Sequence, residues 1–209
     1  TKHRGTVRGD RRARHPPQVK MKLIDAPAYA MLLLKRRSGK ENVRRRGSYG
    51  ARDPAARKSE IYEKSEAVQR DELESLRPVF TDLFDCIKGI RRDYGFGRAI
   101  AAPQIGVMKR LICILTDRPY VIINPELEFV GDERMELMDD CMSFPNLLVR
   151  VRRYRHCVLR YRDENWSLRE MRMDDDMAEL IQHEYDHLDG ILATMRAIDS
   201  KSFAIKGAV

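Results

Sequence analysis

From Asp71 onward, Leu73, Leu76, Phe80, Leu83, Ile87 and Ile90 recur at spacings of three and four, the stripe of an amphipathic helix. Pro78 interrupts the stripe, so Ser75 caps a helix that holds Pro78 in its first turn, or the helix kinks there. Gly95 and Gly97 end this region. Short apolar runs then predict strands at Leu111 to Leu115, Tyr120 to Ile123 and Leu147 to Val151, and Cys157, Leu159 and Tyr161 continue the alternation. Asp163, Glu164 and Asn165 predict a turn into a partner strand starting at Trp166, which gives an antiparallel hairpin. Asp174, Asp175 and Asp176 supply N-cap and first-turn acids for a second helix through Leu188, with Gly190 near its stop. Helix, several strands, then helix is an α+β order.

Upstream the pattern fades. Residues 1–20 are basic, contain Pro16 and Pro17, and have too few apolar side chains to offset the entropy of ordering, which predicts a mobile arm. Residues 21–34, with Leu23, Ile24, Tyr29 and Met31 to Leu34, carry enough apolar surface for a strand or short helix that docks on the body. Lys35 to Lys58 reads as a solvated linker broken by Gly47, Gly50 and Pro54. The expected division is therefore a basic extension, 1–58, and a catalytic domain, 59–209. Charge sharpens it: the chain carries a formal +8, but residues 1–58 hold 18 basic against 4 acidic side chains, so the body is acidic. A chain of 209 residues buries a core without covalent staples, and it contains no apolar run of about eighteen residues that would span a membrane. Cys86, Cys113, Cys141 and Cys157 are scattered without a CxxC pair, as expected of intracellular thiols. No secretory signal is visible; the expected compartment is the cytoplasm, with organellar targeting left open by the Arg-rich, acid-poor start.

Chemistry concentrates in the second helix, at His183-Glu184-Tyr185-Asp186-His187. Helical i, i+4 spacing puts both imidazoles on one face, where each can offer a nitrogen to one metal ion, and Glu184 can act on a water there as general base. The extended zinc-protease pattern fails, because Ala193 stands where its third His belongs, and no Glu follows Glu184 to serve as a downstream ligand. The third ligand must come from upstream, and a cysteine thiolate suits zinc or ferrous iron.

Three patches in order resemble the peptide deformylase family: Gly97 to Gly106 (GRAIAAPQIG), Cys141 to Pro145 (CMSFP) and Gln182 to Gly190 (QHEYDHLDG). The resemblance implies a peptide-deformylase-like fold in which antiparallel strands pack around a central metal-binding HExxH helix. It implies that Cys141, His183 and His187 bind one divalent metal ion, Fe2+ by family precedent with Zn2+ as the alternative. Glu184 would take a proton from water and deliver it to the leaving amine, and the Gln104 amide and Met142 backbone N–H would donate to the oxyanion. The implied activity is hydrolytic removal of the formyl group from the N-terminal formyl-methionine of newly synthesised polypeptides, a step of N-terminal processing in protein biosynthesis. Gly97 would let the chain pass close to substrate.

Several positions depart from the family pattern. Ala99 replaces its second glycine, Asp139-Asp140 replaces Glu-Gly before the cysteine, and Glu179 stands one turn before His183, where the family presents an apolar residue to the methionine pocket. Asp140 and Glu179 would be selectivity residues in a second reading, a deformylase-like amidohydrolase with a different acyl substrate. Arg150 is either a substitute for the missing substrate-contacting arginine or, the preferred reading, a charge on the strand face. A third reading is a non-catalytic ribosome- or RNA-binding protein, motivated by the basic extension, and a compromise has that extension bringing an active enzyme to the ribosome. No membrane partner is expected.

Overall fold

The computed structural model describes residues 61–207. The basic extension 1–58, including the apolar stretch 21–34, lies outside the described residues. The first helix, α1 (Leu73–Tyr94), buries the expected stripe, from Leu73 through Leu76, Phe80, Leu83 and Ile87 to Ile90. Ser75 is inside α1 rather than capping it, and its hydroxyl donates to the Glu72 carbonyl at 2.6 Å. α1 has no side-chain cap of its own; a 3-10 turn, Arg70–Glu72, leads into it, and there the Glu72 carboxylate accepts the Gln69 N–H at 2.7 Å. Gly95 ends α1 in the left-handed region, where a side chain would be strained.

Two antiparallel sheets follow. The larger has the order β1-β2-β3-β6-β7, built from β1 (Ala99–Ala101), β2 (Leu111–Leu115), β3 (Pro119–Phe129), β6 (His156–Arg162) and β7 (Leu168–Asp174). The smaller joins β4 (Arg134–Asp140), β5 (Leu147–Tyr154) and β8 (Phe203–Ile205). The unbroken apolar run of β2 has a direct cause: Leu111 and Cys113 face α1, whereas Ile112 and Ile114 face the second helix, α2 (Asp175–Leu188). Side chains alternate across a strand, so a strand covered on both faces is apolar at every position. Among the described residues, no helix is long and apolar enough to cross a membrane.

The β6–β7 hairpin forms, but its second strand begins at Leu168, not Trp166. Asp163 accounts for the difference: its Oδ1 accepts the N–H groups of Asn165 and Ser167, both at 2.9 Å, which widens the turn and leaves Trp166 at φ 65°. Asp174 occupies the N-cap position of α2 without a side-chain cap, because its carboxylate meets His156 Nδ1 at 2.7 Å. At the far end of α2, Gly190 has φ +72°, and a Cβ there would stand 2.3 Å from the Tyr62 carbonyl oxygen. The chain entering the domain therefore lies directly against the end of α2, held by the Ser65 N–H on the Leu188 carbonyl at 2.8 Å.

Candidate metal centre

Helix α2 presents His183 and His187 on one face, and β4 delivers Cys141 directly after its last residue. All three side chains are buried. Cys141 Sγ stands 3.3 Å from His187 Nε2, and the two Nε2 atoms are 3.2 Å apart. The three donor atoms lie within 4.8 Å of one another. A tetrahedral ion bonded at about 2.0–2.1 Å to nitrogen and about 2.3 Å to sulfur spaces its donors about 3.3–3.6 Å apart. The donor set thus has the spacing such an ion needs, and buried lone pairs facing one another call for a cation between them.

Neighbouring groups tune this set. His183 Nδ1 meets the Asp139 carboxylate at 2.9 Å, which directs Nε2 toward Cys141. Asp139 in turn accepts from buried Arg153 at 3.0 Å, and Arg153 also pairs with Asp186, whose other oxygen takes Arg196 at 2.6 Å. Burial pushes the Cys141 thiol up, but His187 and His183 outweigh it and hold the thiol well below its ordinary value, so the thiolate is favoured. Gln182 fastens α2 to β5, its amide accepting the Tyr154 N–H at 2.9 Å and donating to the Tyr154 carbonyl at 2.8 Å.

Glu184 is buried beside the donors, and its Oε2 has no hydrogen-bond partner among the described residues. Burial pushes its carboxyl up to about 7, against the pull of His183 and His187. A carboxyl poised there can take and release a proton near neutrality. Gln104 is fixed at both ends of its amide: Oε1 accepts the Ala101 N–H at 2.9 Å, and Nε2 donates to Ser143 Oγ at 3.2 Å, with Cys141 Sγ 3.9 Å away. Met142 is buried, and among the described residues no hydrogen bond takes its backbone N–H.

A cavity of about 290 Å³ opens on these groups. Of the residues expected from the sequence, Gly97, Asp140, Met142, Glu179, His183 and Glu184 line it, whereas Cys141, His187 and Gln104 are not among its lining residues. Asp140 pairs with Lys206 at 2.7 Å. Arg150 does not reach the cavity; it pairs with Asp199 at 3.0 Å on the surface, because its strand position faces away. The guanidinium in the cavity wall is Arg98. Burial, with Asp139 adding to it, pushes the Glu179 carboxyl up to about 7. Sequence reasoning missed Arg98, Ser143 and Arg153 as parts of the site. For Arg153 a signal existed, since Arg153 falls on the inward side of the alternation that buries Val149 and Val151.

Comparison with known proteins agrees with this geometry. The profile of the family described as Polypeptide deformylase matches residues 54–203. A peptide deformylase of Pseudothermotoga lettingae is 34% identical over 154 residues, covering 74% of this chain and 84% of that protein. One of Treponema pallidum is 35% identical over 129 residues, covering 61% of this chain and 76% of its own length. Among solved structures, a peptide deformylase from Synechococcus elongatus in complex with actinonin superposes with a TM-score of 0.61 at 29% identity, over 67% of this chain and 74% of that one. The Thermotoga maritima enzyme superposes with a TM-score of 0.61 at 25% identity, over 66% of this chain and 91% of its own. A buried Cys-His-His donor set beside a glutamate whose Oε2 has no partner among the described residues, a fold shared with solved deformylases and a profile match over most of its length together place the chain in the polypeptide deformylase family.

Proposed function

We propose that Cys141, His183, His187, Glu184, Gln104 and Met142 carry out the family's reaction, hydrolysis of the N-formyl group of nascent polypeptides that begin with formyl-methionine. The observation that carries this assignment is the convergence of three buried donor atoms beside a buried carboxylate oxygen that lacks a partner. Cys141, His183 and His187 would hold the metal, and a thiolate with two imidazoles suits Fe2+, our assignment, with Zn2+ the alternative. Bound there, the ion would supply Lewis-acid polarisation of the formyl carbonyl and a more acidic water. Glu184 takes the proton of the attacking water on its carboxylate and returns it to the departing amine nitrogen as the C–N bond breaks, leaving formate and a free N-terminus. The Gln104 Nε2–H and Met142 N–H donate to the carbonyl oxygen as it gains charge. Asp139 keeps His183 in the tautomer that offers Nε2.

The basic segment 1–58 is assigned, by its charge, to contact with ribosomal RNA near the emerging peptide, in the cytoplasm. Metal analysis with a formyl-Met-peptide assay on wild type and Glu184→Gln tests the central assignment. Metal in both with turnover only in wild type is the expected result, and no metal in either overturns it. Deleting residues 1–58 should weaken salt-sensitive ribosome binding and leave short-peptide activity intact; unchanged binding ends the ribosome assignment.

A further inference from the structure

A formyl group at the donor set places the first residue of its peptide close by, since Cβ is only two bonds beyond the nitrogen whose bond is cut. The first side chain therefore enters the cavity that Glu184 and His183 line. Part of that cavity's wall is charged. Glu179 stands one helical turn before His183, with a side chain only 10% exposed, and its recorded partner among the described residues is Arg98, Nη2 to Oε2 at 3.3 Å. The same guanidinium turns its Nη1 to Asp176, nearer the mouth. One cation thus serves two carboxylates. The other acids along the cavity have partners of their own: Asp139 has Arg153 and His183, Asp140 has Lys206, and Glu184 is committed to proton transfer. Among the described residues, Glu179 is thus the buried acid of this wall with no cation to itself.

An apolar side chain entering this space strips water from Glu179 and Arg98 and returns no hydrogen bond, which disfavours it. An ammonium on a methylene stem suits both parts of the wall. The stem lies along Met138 and Leu180, and the head supplies the second cation.

We propose that Arg98, Asp176 and Glu179 form a selectivity wall that favours a formylated N-terminus whose first side chain is cationic and lysine-like over an apolar one of similar length. The proposal rests on the deformylase reading above and shifts the preference of its first-side-chain pocket; formyl-methionine remains a substrate at lower efficiency.

Formate release is measured with the metal-loaded full chain on three tripeptides that differ only in the first residue: formyl-Lys, formyl-Met and formyl-norleucine. Wild type is compared with Glu179→Gln and Glu179→Leu, after thermal unfolding has shown that each variant folds. In wild type, kcat/KM for formyl-Lys exceeds that for formyl-norleucine. The ratio falls about tenfold or more in Glu179→Gln, the worth of one charge-assisted hydrogen bond, while kcat/KM for formyl-norleucine rises. Glu179→Leu lowers the ratio further; should that variant not fold, the nearly isosteric Gln variant carries the comparison. A wild-type ratio below one, or a ratio unmoved by Glu179→Gln, overturns the proposal. Release of formate from none of the peptides is a different result: it overturns the deformylase reading, and the inference with it.

Discussion

Asp139→Asn isolates the charge that stands behind His183. Asparagine keeps the shape of the side chain and an oxygen that can accept the His183 Nδ1–H, so what disappears is the negative charge facing His183 at 2.9 Å and Arg153 at 3.0 Å. A hydrogen bond to a charged group is worth about 1.5–3 kcal/mol against about 1 kcal/mol for a neutral one, so each contact weakens by about 1 kcal/mol and the pair by about 2 kcal/mol. Arg153, whose side chain is 4% exposed, is left with Asp186, which already serves Arg196. The expected fall in melting temperature is about 4–8 °C for a domain of this size. Metal affinity, measured by competition with a chelator, should drop about tenfold or more, because the charge no longer raises the basicity of Nε2. The pH dependence carries a sign as well. Burial raises the Asp139 carboxyl, but His183 and Arg153 outweigh burial and hold it below its ordinary 3.8. A depressed carboxylate contributes its stability above its unfolded value and loses it as pH falls through the folded one. The stability gap between wild type and Asp139→Asn is therefore full at neutral pH and closes as pH falls below 3.8. A variant that loses stability yet binds metal within about twofold of wild type would refute the argument, leaving Asp139 as a counterion of Arg153 alone.

Three further outcomes are expected. Glu184→Gln should lower kcat/KM by about 10²–10⁴ with metal content unchanged, the loss of general-base catalysis; parallel loss of metal would point to a structural role. Glu179→Gln should raise the stability of the metal-free protein above about pH 7 and much less near pH 4.5, because a carboxyl lifted from 4.5 to about 7 binds more protons when folded and costs stability as pH rises through that window. Denaturant titrations at the two pH values measure this, and equal effects at both would contradict it. Gly190→Ala should destabilise by about 2 kcal/mol or more in the same assay, from its left-handed φ and the clash with the Tyr62 carbonyl; a loss under about 0.5 kcal/mol would mean that the entering segment yields easily.

The features legible in the sequence are those whose cause is local. The α1 stripe, the apolar run of β2 and the i, i+4 histidines each follow from one element's own period. Strand β4 was missed for a physical reason. Its inward positions are Met135, Leu137 and Asp139, interleaved with Arg134, Glu136, Met138 and Asp140, so the strand reads as solvated loop. Asp139 is tolerated inside because Arg153, on the neighbouring strand, answers its charge. Pairing between side chains on different elements has no signature in a single sequence. The same holds for Glu179 and Arg98, separated by 81 positions, whose meeting in the cavity wall depends on how β1 approaches α2. Trp166 was misplaced because the reach of Asp163 across four residues lengthens a turn that its residue types alone would make tight.

The contact of Gly190 with Tyr62 also sets where a load on the chain would be felt. The described chain enters at Tyr62 beside the last turn of α2, whereas Glu179 lies in the first half of the helix and the cavity is lined by its residues from Asp176 to Glu184. From Glu179 to Leu188 the helix advances about 14 Å along its axis. A pull on the chain at Tyr62 would therefore be felt first at the Leu188 end of the helix, away from Asp176 and Glu179.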